Sequence, residues 1–249
     1  MNQRSLQFDF ADKRVLVTGG TRGIGRATVE AFLGAGARVA VNGASDASVA
    51  RAIEELEAGE SAIAAPGNVA SVADCERIVE SAVQSLGGLD ILINSAGVFK
   101  RASLADSDEA LWDWTIDINV KGTYFCSRAA APALKAMGGA IVNLSSQAGL
   151  EGYAGVTVYC TSKAAIINMT RAMAMELAPE VRVNCLCPGV IDTDMARTEL
   201  DLVEQADGYP LKRIGTAAEV ATAILFLSSP EAGFVTGAAL PIEGGITAG

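Results

Sequence analysis

The chain has 249 residues, half of them hydrophobic, with 29 acidic against 19 basic side chains and a formal net charge of −10. That charge, with no Lys/Arg cluster to override it, argues against nucleic-acid and acidic-membrane partners, and no apolar run is long enough to span a bilayer. Histidine is absent, which excludes Ser-His and Cys-His nucleophile systems, and the odd count of five cysteines suits reduced thiols better than a disulfide framework or a metal site.

Residues 1–10 carry Arg4 with no apolar stretch behind it. No signal peptide is read there, the cytoplasm is the expected location, and 1–9 are expected to be loosely attached. Next, 13–18 reads as a buried strand, followed by Gly-rich turn residues and a helix over 24–33 closed by Gly34 and Gly36. A second strand is expected at 38–42 and a helix at 47–57, with Asp46 as its N-cap. A short strand at 61–65, a helix at 72–86 and a strand at 89–94 follow. The segment 108–137 reads as one long helix, 140–144 as the fifth strand, and 156–177 as a helix ended by Pro179. Residues 181–187 form the sixth expected strand, in which Cys185 and Cys187 share a face as buried, inert thiols. Segment 188–215 contains Pro188, Gly189, Gly208, Pro210 and Gly215; it reads as irregular and as a lid over a substrate. A helix at 217–227 and a strand at 238–242 complete the chain.

This alternation implies an α/β fold: one domain over 1–249 with a doubly wound, Rossmann-like parallel sheet, helices on both faces and right-handed crossovers. The stretches 124–137 and 164–177 are apolar on more than one face, whereas a helix lying on a sheet needs one stripe. The surplus predicts a homo-oligomer, a dimer or tetramer; the alternative is cover from the chain's own 188–215 segment.

Between the first strand and helix stands Thr18-Gly19-Gly20-Thr21-Arg22-Gly23-Ile24-Gly25. Glycines let the backbone turn sharply and approach a ligand, and the helix N-terminus points its N–H groups at the same place, so a pyrophosphate site is expected. This TGxxxGIG arrangement resembles the short-chain dehydrogenase/reductase family. Further landmarks of that family follow in order: Asn94-Ser95-Ala96-Gly97, Asn119, Ser146, Tyr159 with Lys163, and Pro188-Gly189 with Thr193. The resemblance spans about 12–245. Two departures are Ser95, where the family has a second Asn, and Asn68 before Val69, where it has Asp near the adenine.

The resemblance implies a soluble NAD(P)-dependent oxidoreductase that moves a hydride between a nicotinamide cofactor and a small secondary alcohol or ketone. Tyr159 is the implied acid/base, Lys163 holds the cofactor ribose, Ser146 steadies the substrate oxygen, and Asn119 holds a water behind Lys163. The four-residue Tyr159–Lys163 spacing also has a direct reason: it places both on one helix face, where the ammonium, together with the positive nicotinamide, is expected to lower the phenol's pKa. Ser145 is expected to be structural and Cys160 to point away from the pocket.

No acid stands at Asn42, Gly43 or Ala44, where an NAD site would bind both ribose hydroxyls. Arg22 and Ser45 suit a 2′-phosphate, so NADP(H) is favoured over NAD(H), although no second arginine is read after strand two. Val98, Phe99, 147–153 and 190–202 are the expected substrate walls, with Arg197 the one basic loop candidate. Enoyl reductases of the family space Tyr and Lys further apart. Reductases acting on an acidic acyl carrier tend to show basic residues where this chain has Met137-Gly138-Gly139 and Met173-Ala174-Met175. A 3-oxoacyl-(acyl-carrier-protein) reductase is therefore the runner-up, and a non-catalytic dinucleotide-binding sensor the alternative from another class.

Overall fold

The computed structural model describes residues 8–248. The readings on 1–7 lie outside the described residues. Phe8 packs against the core, and Phe10 is buried edge-on against Phe32 at a centroid distance of 4.9 Å.

Seven parallel strands form one sheet in the order β3-β2-β1-β4-β5-β6-β7. They are β1 Arg14–Thr18, β2 Arg38–Val41, β3 Ala62–Ala64, β4 Ile91–Asn94, β5 Ala140–Leu144, β6 Arg182–Pro188 and β7 Ala239–Ile242. The helices are α1 Gly23–Gly34, α2 Asp46–Leu56, α3 Val72–Leu86, α4 Glu109–Ile116, α5 Gly122–Met137, α6 Thr157–Leu177, α7 Asp194–Glu199, α8 Leu202–Gly208 and α9 Ala217–Ser228. Strand alternation divides the core between the two sheet faces. Leu16, Leu92, Ile141 and Val183 join the α3, α5 and α6 side. Val15, Val17, Ile93, Val142 and Leu186 join the α1 and α9 side. The chain runs outward from β1 to β3 and then returns to the other side of β1 at β4. The crevice at the strand C-termini opens at that reversal, where ligands bind in such sheets.

Three expectations need correction. The N-cap of α2 is Ser45, not Asp46: Ser45 is extended (φ −142°, ψ 151°) and accepts from the Ser48 N–H, while Asp46 is already helical. The long helix of 108–137 is interrupted by a wide π turn at 117–121. The apolar pattern runs straight through this turn and so conceals it. Segment 188–215 is not wholly irregular, because it contains α7 and α8. Thr193 caps α7 through the Ala196 N–H, and Asp201 caps α8 through the Val203 and Glu204 N–H groups.

Candidate active site

The turn after β1 is shaped by close backbone contacts. Gly19 has φ +63°, and a Cβ there would lie 2.7 Å from the Ala96 Cα. A Cβ on Gly25 would lie 2.1 Å from the Gly19 carbonyl oxygen. The Thr18 hydroxyl accepts from the Ser95 and Ala96 N–H groups, both at 3.1 Å, and so fastens the loop after β4 beside the turn. Helix α1 begins at Arg22 with no side-chain cap and no acid in its first turn. Its N-terminal N–H groups and dipole therefore face an open cleft, which fits a pyrophosphate.

That cleft measures about 940 Å³. It is lined by most of the residues named from sequence: Gly19, Thr21, Arg22, Gly23, Ile24, Gly25, Ser45, Asn68, Val69, Ala96, Gly97, Ser146, Tyr159, Lys163, Pro188, Gly189 and Thr193. Asn94 and Asn119 do not line it. Asn94 is buried, donating to Ser127 Oγ and Asn143 Oδ1, and ties β4 to α5 and β5. Asn119 sits in the π turn, fully buried. Its side chain accepts from the Val98 N–H at 2.8 Å and donates to the Val98 carbonyl and the Ser162 hydroxyl.

At one end of the cleft, Asn42 closes β2, but its side chain is a buried brace. It donates to the Ala65 and Gly67 carbonyls and accepts from the Gly19 N–H. Ser45, the N-cap of α2, and Ser48 and Arg51 on that helix line the cleft, as does Arg22. Sequence reasoning missed Arg51. The signal was its place three residues past Ser48, on the same helix face. Glu55 also lines this end, and Arg26 pairs with it at 3.4 Å. Among the described residues, Arg22 and Arg51 have no ion-pair partner.

At the other end, α6 brings Tyr159 and Lys163 under the loop after β4. Phe99 packs edge-on against the Tyr159 ring, with centroids 4.8 Å apart. The Lys163 Nζ lies 5.6 Å from the Tyr159 ring centroid and donates to the Leu144 carbonyl at 2.8 Å. Burial pushes the lysine down to about 8. It also pushes the Tyr159 phenol up to about 12, against the opposing influence of the Ser146 hydroxyl. In the protein alone burial outweighs the lowering expected of the ammonium, whose Nζ is bound to the Leu144 carbonyl; the positive nicotinamide is the other half of that expectation.

Ser146 follows β5 and caps a short turn, its hydroxyl accepting from the Ala148 N–H at 3.1 Å. Ser145 also borders the cleft, but its hydroxyl is spent on the Lys163 carbonyl at 2.7 Å, which suits the structural role expected of it. Cys160 is absent from the cleft lining. Cys185 and Cys187 are both buried against Ile167. Among the described residues, no group of three or more His, Cys, Asp or Glu side chains is placed to hold a metal ion.

Of the residues expected as substrate walls, Val98, Phe99, Gln147, Tyr153, Val190 and Met195 are among those that line the cleft. Arg197 is not among them; it pairs with Asp192 at 2.8 Å and with Asp194. Arg101 lines the mouth instead. Tyr209, just after α8, was missed from sequence. It is 2% exposed, accepts from the Val190 N–H at 2.7 Å and donates to Gln147 Oε1 at 2.9 Å. Behind it lies a second cavity of about 400 Å³, whose walls include Tyr209, Pro210, Leu211 and the 241–245 segment.

A switch-point cleft with a bare helix N-terminus at its centre and a Ser-Tyr-Lys group at one end defines a Rossmann-type, nicotinamide-dinucleotide-dependent oxidoreductase. The comparisons agree, and the chain belongs to the short-chain dehydrogenase/reductase family. A family model described as enoyl-(acyl carrier protein) reductase matches residues 19–247. The 2-(S)-hydroxypropyl-CoM dehydrogenase 3 of Xanthobacter autotrophicus is 39% identical, over 94% of this chain and 96% of that one. A 3-oxoacyl-(acyl-carrier-protein) reductase, FabG, of Chlamydia muridarum is 36% identical, over 94% and 97%. The crystal structure of a short-chain dehydrogenase/reductase, named glucose/ribitol dehydrogenase, from Brucella melitensis is 36% identical with a TM-score of 0.93, covering 97% of this chain and 99% of its own.

Proposed function

We propose that the protein reduces a small ketone to a secondary alcohol, with NADP(H) as the preferred partner and Tyr159 as the proton donor. The observation that carries this reading is the convergence of Tyr159, Ser146 and Lys163 at the end of β5, inside the dinucleotide cleft. A bound nicotinamide dinucleotide supplies the hydride. Ser146 donates a hydrogen bond to the substrate carbonyl oxygen and stabilises the charge that develops there. Tyr159, a protonated phenol at neutral pH that burial keeps above its ordinary value, delivers its proton to that oxygen. Lys163 holds the ribose hydroxyls and carries positive charge beneath the phenol. Asn119 braces the 97–99 loop against α6; its backbone carbonyl, which already accepts from Thr123 Oγ1 at 2.8 Å, is the acceptor left for a water behind Lys163.

The cofactor preference rests on Arg22, Ser45, Ser48 and Arg51, which present two cations and two hydroxyls to a 2′-phosphate. Asn68 and Val69 line the adenine end, while Pro188, Gly189 and Thr193 border the nicotinamide end. The decisive experiment is NADPH-dependent ketone reduction by wild type and Tyr159→Phe. Turnover by wild type alone, with cofactor bound by both, supports the reading. Binding without turnover in wild type favours a dinucleotide sensor.

A second reading, reduction of a carrier-bound 3-oxoacyl group, is favoured by the 36% identity to FabG. The net charge of −10 opposes encounter with an acidic carrier. Tyr159 and Lys163 also keep the four-residue spacing, unlike the wider spacing of enoyl reductases. Comparing a carrier-bound with a free 3-oxo substrate separates the two readings.

The protein is further read as a homo-oligomer. Helices α4, α5 and α6 pack together and carry exposed Trp112, Tyr124 and Met175. Segment 188–215 leaves Met175 83% exposed, so cover by the same chain does not account for this face.

A further inference from the structure

The residue after Ser146 is held in an unusual way. Gln147 is 8% exposed and lines the cleft. Its Oε1 accepts from the Tyr209 hydroxyl at 2.9 Å. The same hydroxyl accepts from the Val190 N–H at 2.7 Å, so its single proton goes to Gln147. This chain fixes the amide orientation. A Cβ on Gly189 would lie 3.0 Å from that Oε1, so the oxygen is packed against the 188–190 backbone. Among the described residues the Gln147 Nε2 has no protein acceptor, yet it is not sealed off: the only fully enclosed side-chain polar atom without a partner among them is Asn94 Oδ1. This cleft-lining side chain, one residue after Ser146, thus keeps two N–H donors for a ligand.

An amide so placed serves a ligand. Phe99 and Met195 make much of the surrounding wall apolar, and a donor left dry among them is costly unless an acceptor meets it. The geometry points to Gln147 as a specificity residue that receives a second oxygen of the substrate, a hydroxyl, carbonyl or carboxylate close to the reacting ketone, with Tyr209 as the positioning residue that aims it. This inference rests on the ketone-reductase reading above and names the substrate class within it. A site built to hydrogen-bond an oxygen discriminates against the analogue that lacks it.

The experiment measures kcat/KM with NADPH for 3-hydroxybutan-2-one and ethyl 3-oxobutanoate, each divided by the value for butan-2-one. Wild type is compared with Gln147→Leu, Gln147→Glu and Tyr209→Phe. The second oxygen alters the intrinsic reactivity of the ketone equally in every variant, so only the change in the ratio reads the contact. At least one ratio is expected to fall roughly three- to tenfold in Gln147→Leu, the range for one neutral hydrogen bond. Tyr209→Phe should lower the same ratio by a smaller factor, mainly through a higher KM for the oxygenated ketone. Gln147→Glu is nearly isosteric and, as a carboxylate, can still accept from Tyr209 but offers no donor; the same fall there for ethyl 3-oxobutanoate, whose ester oxygens can only accept, decides the matter if the leucine variant does not fold. Ratios that stay at the wild-type value in both Gln147 variants overturn the inference and leave the reductase reading standing. Failure of wild type to reduce any of the three ketones with either cofactor overturns the reductase reading, and this inference with it.

Discussion

The Lys163 Nζ is bound to the Leu144 carbonyl at 2.8 Å and lies 5.6 Å from the centre of the Tyr159 ring. Helix α6 is thus pinned to the end of β5 by a buried side chain, and the two groups proposed as the reacting pair have opposite tendencies. Burial favours a neutral lysine and a protonated phenol.

Lys163 gives a pH-dependent stability. Its value of about 8 in the folded state lies below its ordinary 10.5, so from pH 8 to 10.5 the unfolded chain holds the extra proton and stability rises with pH. The penalty is fully present below pH 8 and is on the order of 3 kcal/mol. Lys163→Met removes it. The stability difference between this variant and wild type should shift progressively in favour of wild type across pH 8–10.5, as read by urea unfolding. A difference that is flat with pH contradicts the assignment.

Tyr159 acts in the opposite sense. A folded value of about 12 against an ordinary 10 means that the unfolded chain ionises first, so stability falls between pH 10 and 12. Tyr159→Phe should lose this fall. The same substitution should lower kcat by about 10²- to 10⁴-fold while NADPH still quenches or enhances protein fluorescence as in wild type.

Arg22→Ala and Arg51→Ala should each weaken NADPH binding by roughly tenfold, with little change for NADH, because each removes a charge-assisted contact to the 2′-phosphate. Equal losses for both dinucleotides in a fluorescence titration count against the placement of the 2′-phosphate.

Gly25→Ala should abolish dinucleotide binding and lower stability by about 1–3 kcal/mol, since the added methyl meets the Gly19 carbonyl at 2.1 Å. Calorimetry with and without NADPH tests both parts. A variant that binds like wild type contradicts the tight turn.

Met175→Lys places a charge on the exposed face of α6 and should lower the molar mass measured by light scattering. An unchanged mass locates the subunit contact elsewhere.

The middle of the sheet was legible in sequence because β1, β4, β5 and β6 are buried on both faces and read as short apolar runs between helical periods, whereas the edge strands β3 and β7 are partly exposed and left a weaker signal. The Gly-rich turn, Tyr159 and Lys163 were legible because their chemistry depends on local spacing. What escaped were features set by caps or by distant contacts. Ser45 displaced Asp46 as N-cap because backbone geometry, which composition does not reveal, decides which of two adjacent capping residues is used. Tyr209 and Gln147 are 62 residues apart, and nothing local to either announces the bond between them. The π turn that buries Asn119 was masked by the apolar residues on both sides.

Gly189, Val190 and Ile191 line both the cleft of about 940 Å³ and the smaller cavity of about 400 Å³, whereas Tyr209 lines only the latter. Through its hydrogen bonds to the Val190 N–H and to Gln147, Tyr209 ties a wall of the smaller cavity to a wall of the cleft. A change made in the smaller cavity is therefore felt in the cleft, without touching Ser146, Tyr159 or Lys163.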